Sequence, residues 1–385
     1  MKIIQVQTQA EAGGAQRVSD MVGDGLRARG HTVRTVFLYR KTEVYDRDPF
    51  ADFILDAPPK GLAGQVRAVI GLVRYLRKAR PDAVLSFQHY GNLFGTLGAR
   101  LAGVRTIVAN QSGAPQARGV RGLLTQVDKW MGVAGLYHIN VVNSAWTATQ
   151  FGDFPHAYRR RIRRIDHGVA APADDHDKAA ARAALGLPSD GWIAVTSGRL
   201  AASKNQVALV GALARIPDMH LAIAGTGPER EALLACAERL GVSGRLHLVG
   251  EVPPERIFAF LAAGDAYVFS SLTETFGLAA VEAAIAGLPL VASDLDVLRE
   301  VLTTMDGAPA ALFVRPDAEG IAGGLAEILA TPMLAASLAA AGRQLREQYS
   351  PAAMCAAYEA LLLSDRLGTA AMPSITSSDP ERLSV

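Results

Sequence analysis

Two successive series of short apolar runs, each alternating with helix-like stretches, constrain the fold of this chain more than any other feature. The first series starts with KIIQVQT at Lys2, and the second starts with WIAVTSGR at Trp192. Strands that alternate with helices favour a parallel sheet with helices on both faces. The length of 385 residues also exceeds one ordinary hydrophobic core. The sequence therefore predicts an α/β protein with two parallel-sheet domains.

The individual strands are predicted from these apolar runs. In the first series they are KIIQVQT, HTVRTVFLY, DAVLSF, RTIVAN, HINVVNS and RRIDHGV. In the second series they are WIAVTSGR, HLAIAGTG, RLHLVG, AYVFSS and PLVASD. Helices are predicted between most of them.

The domain boundary is predicted where VAAPADDHDK has the composition of a linker. We predict an N-terminal domain over residues 1–168 and a C-terminal domain over residues 169–348. A last helix, over residues 349–364, is expected to pack back on the N-terminal domain. Residues 365–385 lack apolar periodicity, and we expect a disordered tail there.

The net charge of +2 conceals a difference between the two halves of the chain. Residues 1–170 hold 24 Lys and Arg against 12 Asp and Glu, a net charge of +12, and the remainder holds 15 against 25, a net charge of −10. A basic half joined to an acidic half indicates an anionic partner for the first, either a membrane surface or a phosphorylated substrate. We expect no nucleic acid partner, because no nucleic-acid-binding motif accompanies the charge.

One basic amphipathic segment supports a membrane contact. In QVRAVIGLVRYLRKAR, Arg67, Arg74 and Arg77 accompany Val66 and other apolar residues on a predicted helix. Such a helix either lies on an anionic membrane or covers the sheet with a solvated outer face. The Arg-rich run at residues 159–164 favours a membrane or lipid-pyrophosphate partner. Because signal-peptide and membrane-spanning patterns are lacking, we expect a cytoplasmic chain with a peripheral contact at the inner face of the membrane.

The nearly apolar segment SSLTETFGLAAVEAAIAGLPLVASD contains two carboxylates, Glu274 and Glu282. A buried carboxylate is costly unless it is paired or hydrogen-bonded, so we expect a polar group to meet each of them. A carboxylate accepts two hydroxyl donors, which makes it a suitable ligand for a sugar diol. The alternative is an ordinary helix with one capping acid and one solvent-facing acid.

A helix is predicted over residues 278–286 of this segment, because Ala, Leu and Val dominate it. The amides at its start, at Phe276, Gly277 and Leu278, are typical of an anion site. Further polar or glycine residues follow other predicted strands, where open α/β sheets bind ligands. These residues are Gly13, Gly14, Arg199, Lys204, Gly225 and Gly227.

Together these motifs resemble the retaining glycosyltransferases of family four. The matching segments are SGRLAASKN, AGTGPER, LVGEV, ETFGLAAVEAAIAGLPLVAS, which is close to the family's E-x7-E pattern, and GGAQR in the N-terminal half. The resemblance extends from Met1 to about Leu363 and is stronger in the C-terminal half. It implies the GT-B fold, in which two Rossmann-like domains with parallel sheets face a central cleft.

The resemblance also implies the activity and its partners. The expected reaction is retaining transfer of a sugar from a nucleotide diphosphate sugar, with UDP expected ahead of GDP. The expected acceptor is a glycan or a lipid-linked molecule in polysaccharide or glycolipid assembly. No cofactor or metal is expected, because the sequence has no obvious Asp-x-Asp motif.

Site residues follow from the same resemblance. Glu274 would contact the donor sugar near the reacting carbon, and Glu282 would hold the ribose hydroxyls. Arg199 and Lys204 would stabilise the charge of the leaving diphosphate. The amides of Phe276, Gly277 and Leu278 would bind phosphate, Gly14 would bring the N-terminal loop to the diphosphate, and Gly225 would also border the donor.

One departure from the family concerns a histidine near the sugar. Many relatives carry this histidine after a strand of the N-terminal domain, but here RTIVAN is followed by Gln111. We predict that His89, at another strand end, replaces it as a catalytic residue. Two other functions remain open at this point: an inert GT-B partner or scaffold, which the missing histidine permits, and a nucleotide-sugar epimerase.

Overall fold

The computed structural model of the chain describes residues 1–11, 13–111, 113–115, 119–172 and 176–367. It contains two sheets, and every pairing between their strands is parallel. The predicted α/β fold with two parallel-sheet domains is therefore confirmed.

The first sheet belongs to the N-terminal domain. Its strands are β1 (Lys2–Ala10), β2 (Thr32–Arg40), β3 (Ala51–Phe53), β4 (Ala83–Phe87), β5 (Thr106–Asn110), β6 (Ile139–Val142) and β7 (Ile162–Arg164). Their order in the sheet is β3-β2-β1-β4-β5-β6-β7. The helices of this domain are α1 (Gly14–Ala28), α2 (Gly61–Ala79), α3 (His89–Leu101), α4 (Gly119–Val133), α5 (Ala145–Thr149) and α6 (His156–Arg159).

The second sheet belongs to the C-terminal domain. Its strands are β8 (Trp192–Ser197), β9 (Met219–Ala224), β10 (Leu246–Gly250), β11 (Ala266–Phe269), β12 (Leu290–Ser293) and β13 (Leu312–Val314), in the order β10-β9-β8-β11-β12-β13. Its α-helices are α7 (Lys178–Ala184), α8 (Gln206–Leu213), α9 (Arg230–Arg239), α10 (Ile257–Ala262), α11 (Leu278–Ile285), α12 (Asp296–Val301), α13 (Ala318–Ala330) and α14 (Pro332–Gln348). Short 3-10 helices lie at Ala202–Lys204, Ser243–Arg245 and Pro254–Arg256.

The central strands are apolar because helices cover both of their faces. All five residues of β4 and all five of β5 are buried. On one face of the first sheet, Leu72 and Leu76 of α2 pack against Val84 and Ile107. In the second domain, β11 and β12 are likewise buried between helices on both faces. Each domain therefore has a core on both sides of its sheet.

The last helix, α15 (Pro351–Leu367), lies against the N-terminal domain. The Tyr358 hydroxyl donates to Asn110 Oδ1 at 2.6 Å. A Cβ atom on Gly25 of α1 would lie only 2.1 Å from the Cys355 sulfur, so α1 and α15 are in very close contact. The helix begins two residues later and ends three residues later than predicted, and residues 368–385 of the predicted tail lie outside the described part of the chain.

Several elements differ from the sequence predictions. The last strand of the first sheet was expected in RRIDHGV, but β7 ends at Arg164, so that prediction was wrong for residues 165–169. Strands β3 and β13 were not predicted, because each has only three residues and all of them are half-buried. No single described helix is long and apolar enough to span a membrane, although Ala318–Ala330 and Pro332–Ser364, bent by 102°, together meet the criteria of length and composition.

Candidate functional site

The N-termini of two helices, one from each domain, meet across the cleft. Helix α1 begins at Gly14 after β1, and α11 begins at Leu278 in the segment that follows β11. A Cβ atom on Gly14 would lie 3.3 Å from Leu278 Cδ1. Because Gly14 has no side chain, the start of α1 can lie close to Leu278 at the start of α11. Within the described residues, the amides of Phe276, Gly277 and Leu278 donate no hydrogen bond. Such free amides at a helix N-terminus attract anions.

Glu282 of α11 forms an ion pair with Arg17 of α1. The Glu282 side chain is 5% exposed and that of Arg17 is 32% exposed. Burial raises the pKa of Glu282, and the neighbouring Arg17 guanidinium partly opposes this rise. The predicted ribose-binding carboxylate therefore contacts the opposite domain. The sequence prediction included Arg17 in the motif GGAQR without a role; its place in the first turn after two glycines was the available signal.

Glu274 forms an ion pair with Lys204, and both side chains are largely shielded from solvent. Two hydrogen bonds hold their loops together: the Ser270 hydroxyl donates to the Lys204 carbonyl at 2.8 Å, and the Leu272 amide donates to the Ser203 carbonyl at 2.8 Å. The loops after β8 and β11 therefore bring together a predicted diphosphate ligand and a predicted sugar ligand.

Arg199 lies in the same loop as Lys204 but is exposed. Its guanidinium forms no ion pair or hydrogen bond with any described residue. Gly225, which has φ 142°, packs against this loop. A Cβ atom on Gly225 would lie only 2.0 Å from the Gly198 carbonyl oxygen. The Leu200 amide donates to the Thr226 carbonyl at 2.9 Å beside this contact. Gly225 thus allows the loops after β8 and β9 to pack together, and its contact with a donor stays a prediction.

The loop that carries Glu274 is also attached to the N-terminal domain. The Thr275 carbonyl accepts hydrogen bonds from the hydroxyls of Ser144 at 3.0 Å and Thr147 at 3.3 Å. The Phe276 ring packs edge-on against the imidazole of His167, with ring centroids 5.1 Å apart. Its side chain therefore faces the domain interface, and only its backbone is available to a ligand.

His167 lies beneath this loop and was not assigned a role from the sequence, because it fell within a predicted strand. Its Nε2 accepts a hydrogen bond from the Asn143 amide at 3.0 Å. Its Nδ1 is shielded from solvent and has no hydrogen-bond partner among the described residues. Burial lowers the pKa of His167 to about 4. The imidazole is therefore neutral at neutral pH.

The predicted catalytic residue His89 begins α3, separated by one residue from the end of β4, and is half-buried. The preceding residue, Gln88, has φ 67°, and its side chain accepts a hydrogen bond from the Thr8 amide at 3.1 Å. This arrangement fixes His89 at the carboxyl edge of the first sheet, and its contact with a sugar stays a prediction.

Gln111 follows β5, where many relatives carry a histidine. It is buried, and its side-chain amide donates a hydrogen bond to the Asp128 carboxylate at 3.1 Å.

The described part of the chain contains no group of three or more His, Cys, Asp or Glu side chains arranged to hold a metal ion. The charged groups assembled at the cleft include three cations, Arg17, Arg199 and Lys204, and two carboxylates, Glu274 and Glu282. Such a set can bind an anion and accept hydrogen bonds from hydroxyl groups.

Comparisons with known proteins identify two family models in this chain. Residues 12–171 match "Glycosyltransferase Family 4" and residues 177–345 match "Glycosyl transferases group 1". The chain is 35% identical over 225 residues to the lipopolysaccharide core biosynthesis glycosyltransferase LpsE of Rhizobium meliloti, a match that covers 58% of this chain and 64% of LpsE. The chain thus spans less than two thirds of the length of the curated relatives that it matches.

Solved structures share the whole fold. Sucrose-phosphate synthase from Thermosynechococcus elongatus superposes with a TM-score of 0.81 at 22% identity, covering 96% of this chain and all of that one. HepE from Anabaena, solved in complex with UDP and glucose, gives a TM-score of 0.81 at 18% identity, with 94% and 100% coverage. These likenesses establish the GT-B fold. The two family matches, over residues 12–171 and 177–345, show that the chain belongs to the group 1 glycosyltransferases.

Proposed function

We propose that this chain is a retaining, metal-independent glycosyltransferase that uses a nucleotide diphosphate sugar. The observation that carries the proposal is the assembly of Lys204, Glu274 and Glu282 around the N-terminus of α11, opposite the start of α1. An inert partner protein would have no need for such paired charges in its cleft. The UDP and glucose bound to HepE support UDP as the nucleotide.

In this proposal each part of the donor meets a different part of the site. The diphosphate binds the free amides of Phe276, Gly277 and Leu278, where the helix N-terminus favours negative charge. Gly14 lets the diphosphate approach the backbone of the N-terminal domain closely. The ribose hydroxyls donate to the Glu282 carboxylate.

The sugar and the reacting bond lie at the other end of the donor. A sugar hydroxyl donates to Glu274, which the ion pair with Lys204 holds in place. When the bond between the anomeric carbon and the diphosphate breaks, negative charge develops on the leaving group. Lys204 and the exposed Arg199 stabilise that charge, a contribution usually supplied by a metal in metal-dependent enzymes.

Retention of configuration requires the acceptor to attack from the face that the diphosphate leaves. The acceptor hydroxyl forms the new bond to the anomeric carbon while the old carbon–oxygen bond breaks. Its proton passes to an oxygen of the departing diphosphate, which acts as the base. His89 would then contact the sugar without transferring a proton.

The proposed acceptor is a glycan or a lipid-linked molecule, which the N-terminal domain presents at an anionic membrane surface. The exposed residues Leu62, Val66 and Ile70 follow one another at intervals of four on α2. Arg67 and Arg74 on the same helix are also exposed. An apolar stripe flanked by cations is typical of helices that lie on anionic lipid.

The Arg-rich run at residues 159–164 contributes less charge to such a surface than its sequence suggests. Arg164 forms ion pairs with Asp166 and Glu300, and the Arg161 guanidinium donates to the Gly132 carbonyl at 2.9 Å. Their side chains are therefore engaged within the protein. The proposed membrane contact accordingly rests on α2.

The proposed activity is tested by incubating the protein with UDP, GDP and ADP sugars in EDTA, with membrane lipid extract as acceptor. We expect one UDP sugar to release its nucleoside diphosphate, and a Lys204→Ala variant to release it at least about a hundredfold more slowly. The transferred or released sugar should keep the anomeric configuration of the donor, as measured by proton NMR.

The absence of release from every donor, with or without metal, would instead favour an inert partner protein. Activity lost in EDTA and restored by manganese would contradict metal independence.

A further inference from the structure

The Arg17–Glu282 ion pair occupies a carboxylate that the proposed function assigns to the donor. Glu282 is 5% exposed, and Arg17 is the only polar partner of its side chain within the described residues. The carboxylate is therefore covered by a side chain of the opposite domain. A ribose that donates to Glu282 has to enter the same contact surface between α1 and α11.

The ion pair is well suited to exchange with a ligand. Arg17 is 32% exposed, so water can solvate its guanidinium as soon as it leaves Glu282. Glu282 is more deeply buried, and a buried carboxylate needs another hydrogen-bond donor once the guanidinium has moved. Two ribose hydroxyls meet that need, because each donates to one carboxylate oxygen.

From this geometry we infer that Arg17 blocks the ribose site of the unliganded protein and must be displaced from Glu282 by the donor. The inference rests on the proposed nucleotide-sugar site and adds a specific competitor to it. Arg17 is thus a positioning residue of the donor site, which holds the two domains together until the ribose replaces it.

A second ion pair between the domains provides a matched control. Arg164 Nη2 of β7 lies 3.1 Å from Glu300 Oε1 of α12. The Glu300 carboxylate also accepts hydrogen bonds from the backbone amides of Ala145 and Trp146. This contact joins the same two domains but does not include Glu282. Loss of Arg164 therefore weakens the domain contact without uncovering the proposed ribose site.

The test measures the affinity of uridine, which carries the ribose without phosphate, by ligand-observed NMR titration at pH 8. A phosphate-free probe is needed because a displaced Arg17 would be attracted to a diphosphate. We expect Arg17→Gln to bind uridine about two- to fivefold more tightly than the wild type, since the competing ion pair is removed. Arg17→Lys, which keeps the charge, should show a smaller gain. Arg164→Gln should bind uridine as the wild type does.

Calorimetry with UDP on the wild type distinguishes a failure of the Arg17 inference from a failure of the proposed function. UDP binding by the wild type together with unchanged or weaker uridine binding by Arg17→Gln would overturn the inference and leave the proposed function standing. An equal gain in Arg17→Gln and Arg164→Gln would also overturn it, because domain opening alone would then explain the effect. If the wild type binds neither UDP nor uridine, the proposed function fails and the inference fails with it.

Discussion

Arg17 and Glu282 are 265 residues apart in the chain, yet they form an ion pair that joins α1 of the N-terminal domain to α11 of the C-terminal domain. Nearby, Gly14 lies against Leu278, at the starts of the same two helices. The two domains therefore meet at the point where each sheet presents a helix N-terminus. In open α/β sheets this carboxyl edge is where ligands bind.

The two carboxylates of α11 and its preceding loop should have different effects on nucleotide binding. Glu282→Ala removes the proposed acceptor of two ribose hydroxyls and should weaken UDP binding at least about tenfold, because both charge-assisted hydrogen bonds are lost. Glu274 is assigned to the donor sugar, and UDP has no such sugar. Glu274→Ala also removes the ion pair with Lys204, so the Lys204 ammonium can interact with the diphosphate. We therefore expect its UDP affinity to be unchanged or higher in isothermal calorimetry. A greater loss in Glu274→Ala would mean that the two roles are reversed.

Gly225 should be required for stability whether or not it contacts the donor. In Gly225→Ala, the new Cβ atom would lie 2.0 Å from the Gly198 carbonyl oxygen at φ 142°. We expect a loss of about 3 kcal/mol or more in the free energy of unfolding, from backbone strain and overpacking together.

The control for this change is Gly241→Ala. Gly241 also has a positive φ, of 69°, but no atom lies within 4 Å of the added Cβ. For Gly241→Ala we therefore expect a loss of only about 1–2 kcal/mol in the free energy of unfolding, from backbone strain alone. Urea unfolding of both variants measures the difference, and equal losses would show that the two loops separate easily.

His167 should remain neutral well below neutral pH. Burial lowers its pKa to about 4, whereas an unfolded chain has an ordinary value of about 6.5. The unfolded state therefore binds more protons in this range, and the stability due to a neutral His167 is lost as the pH falls from about 6.5 to about 4. Histidine NMR titration, with His167→Gln to identify the resonance, measures the pKa directly. A value above about 6 would show that the imidazole is solvated.

Binding to anionic membranes should depend on α2. Because each basic residue near an anionic surface contributes about 1 kcal/mol, Arg67→Gln/Arg74→Gln should lower binding to phosphatidylglycerol vesicles about thirtyfold. Co-sedimentation at low salt measures this, and added salt should weaken the wild type. The matched control is Arg230→Gln/Arg315→Gln, which removes two exposed arginines of the C-terminal domain. Equal binding by both double variants would mean that α2 only covers the sheet.

The sequence predicted the features that arise from local periodicity. Buried strands such as AVLSF and TIVAN are recognisable because helices on both faces make them continuously apolar. Three-residue strands such as Leu312–Val314 are too short to give a pattern, and β7 was misplaced towards His167 because apolar and polar residues alternate weakly there.

The candidate site was predictable only in part. Lys204, Glu274 and Glu282 belong to recognisable motifs, and the structure brings Lys204 and Glu274 together. The pairing of Arg17 with Glu282 depends on the relative placement of two domains, which no local pattern specifies. The burial of His167 has the same origin, since Phe276 of the other domain covers its ring.

A crystal structure of the protein grown with UDP in the presence of EDTA tests the proposed donor site most directly. We expect UDP to lie between the starts of α1 and α11, with its ribose hydroxyls within hydrogen-bond distance of Glu282. The diphosphate should lie on the amides of Phe276, Gly277 and Leu278, near Lys204, and Arg17 should have moved away from Glu282. UDP bound elsewhere, or bound in this cleft while Glu282 makes no contact with the ribose, would contradict the proposed donor site.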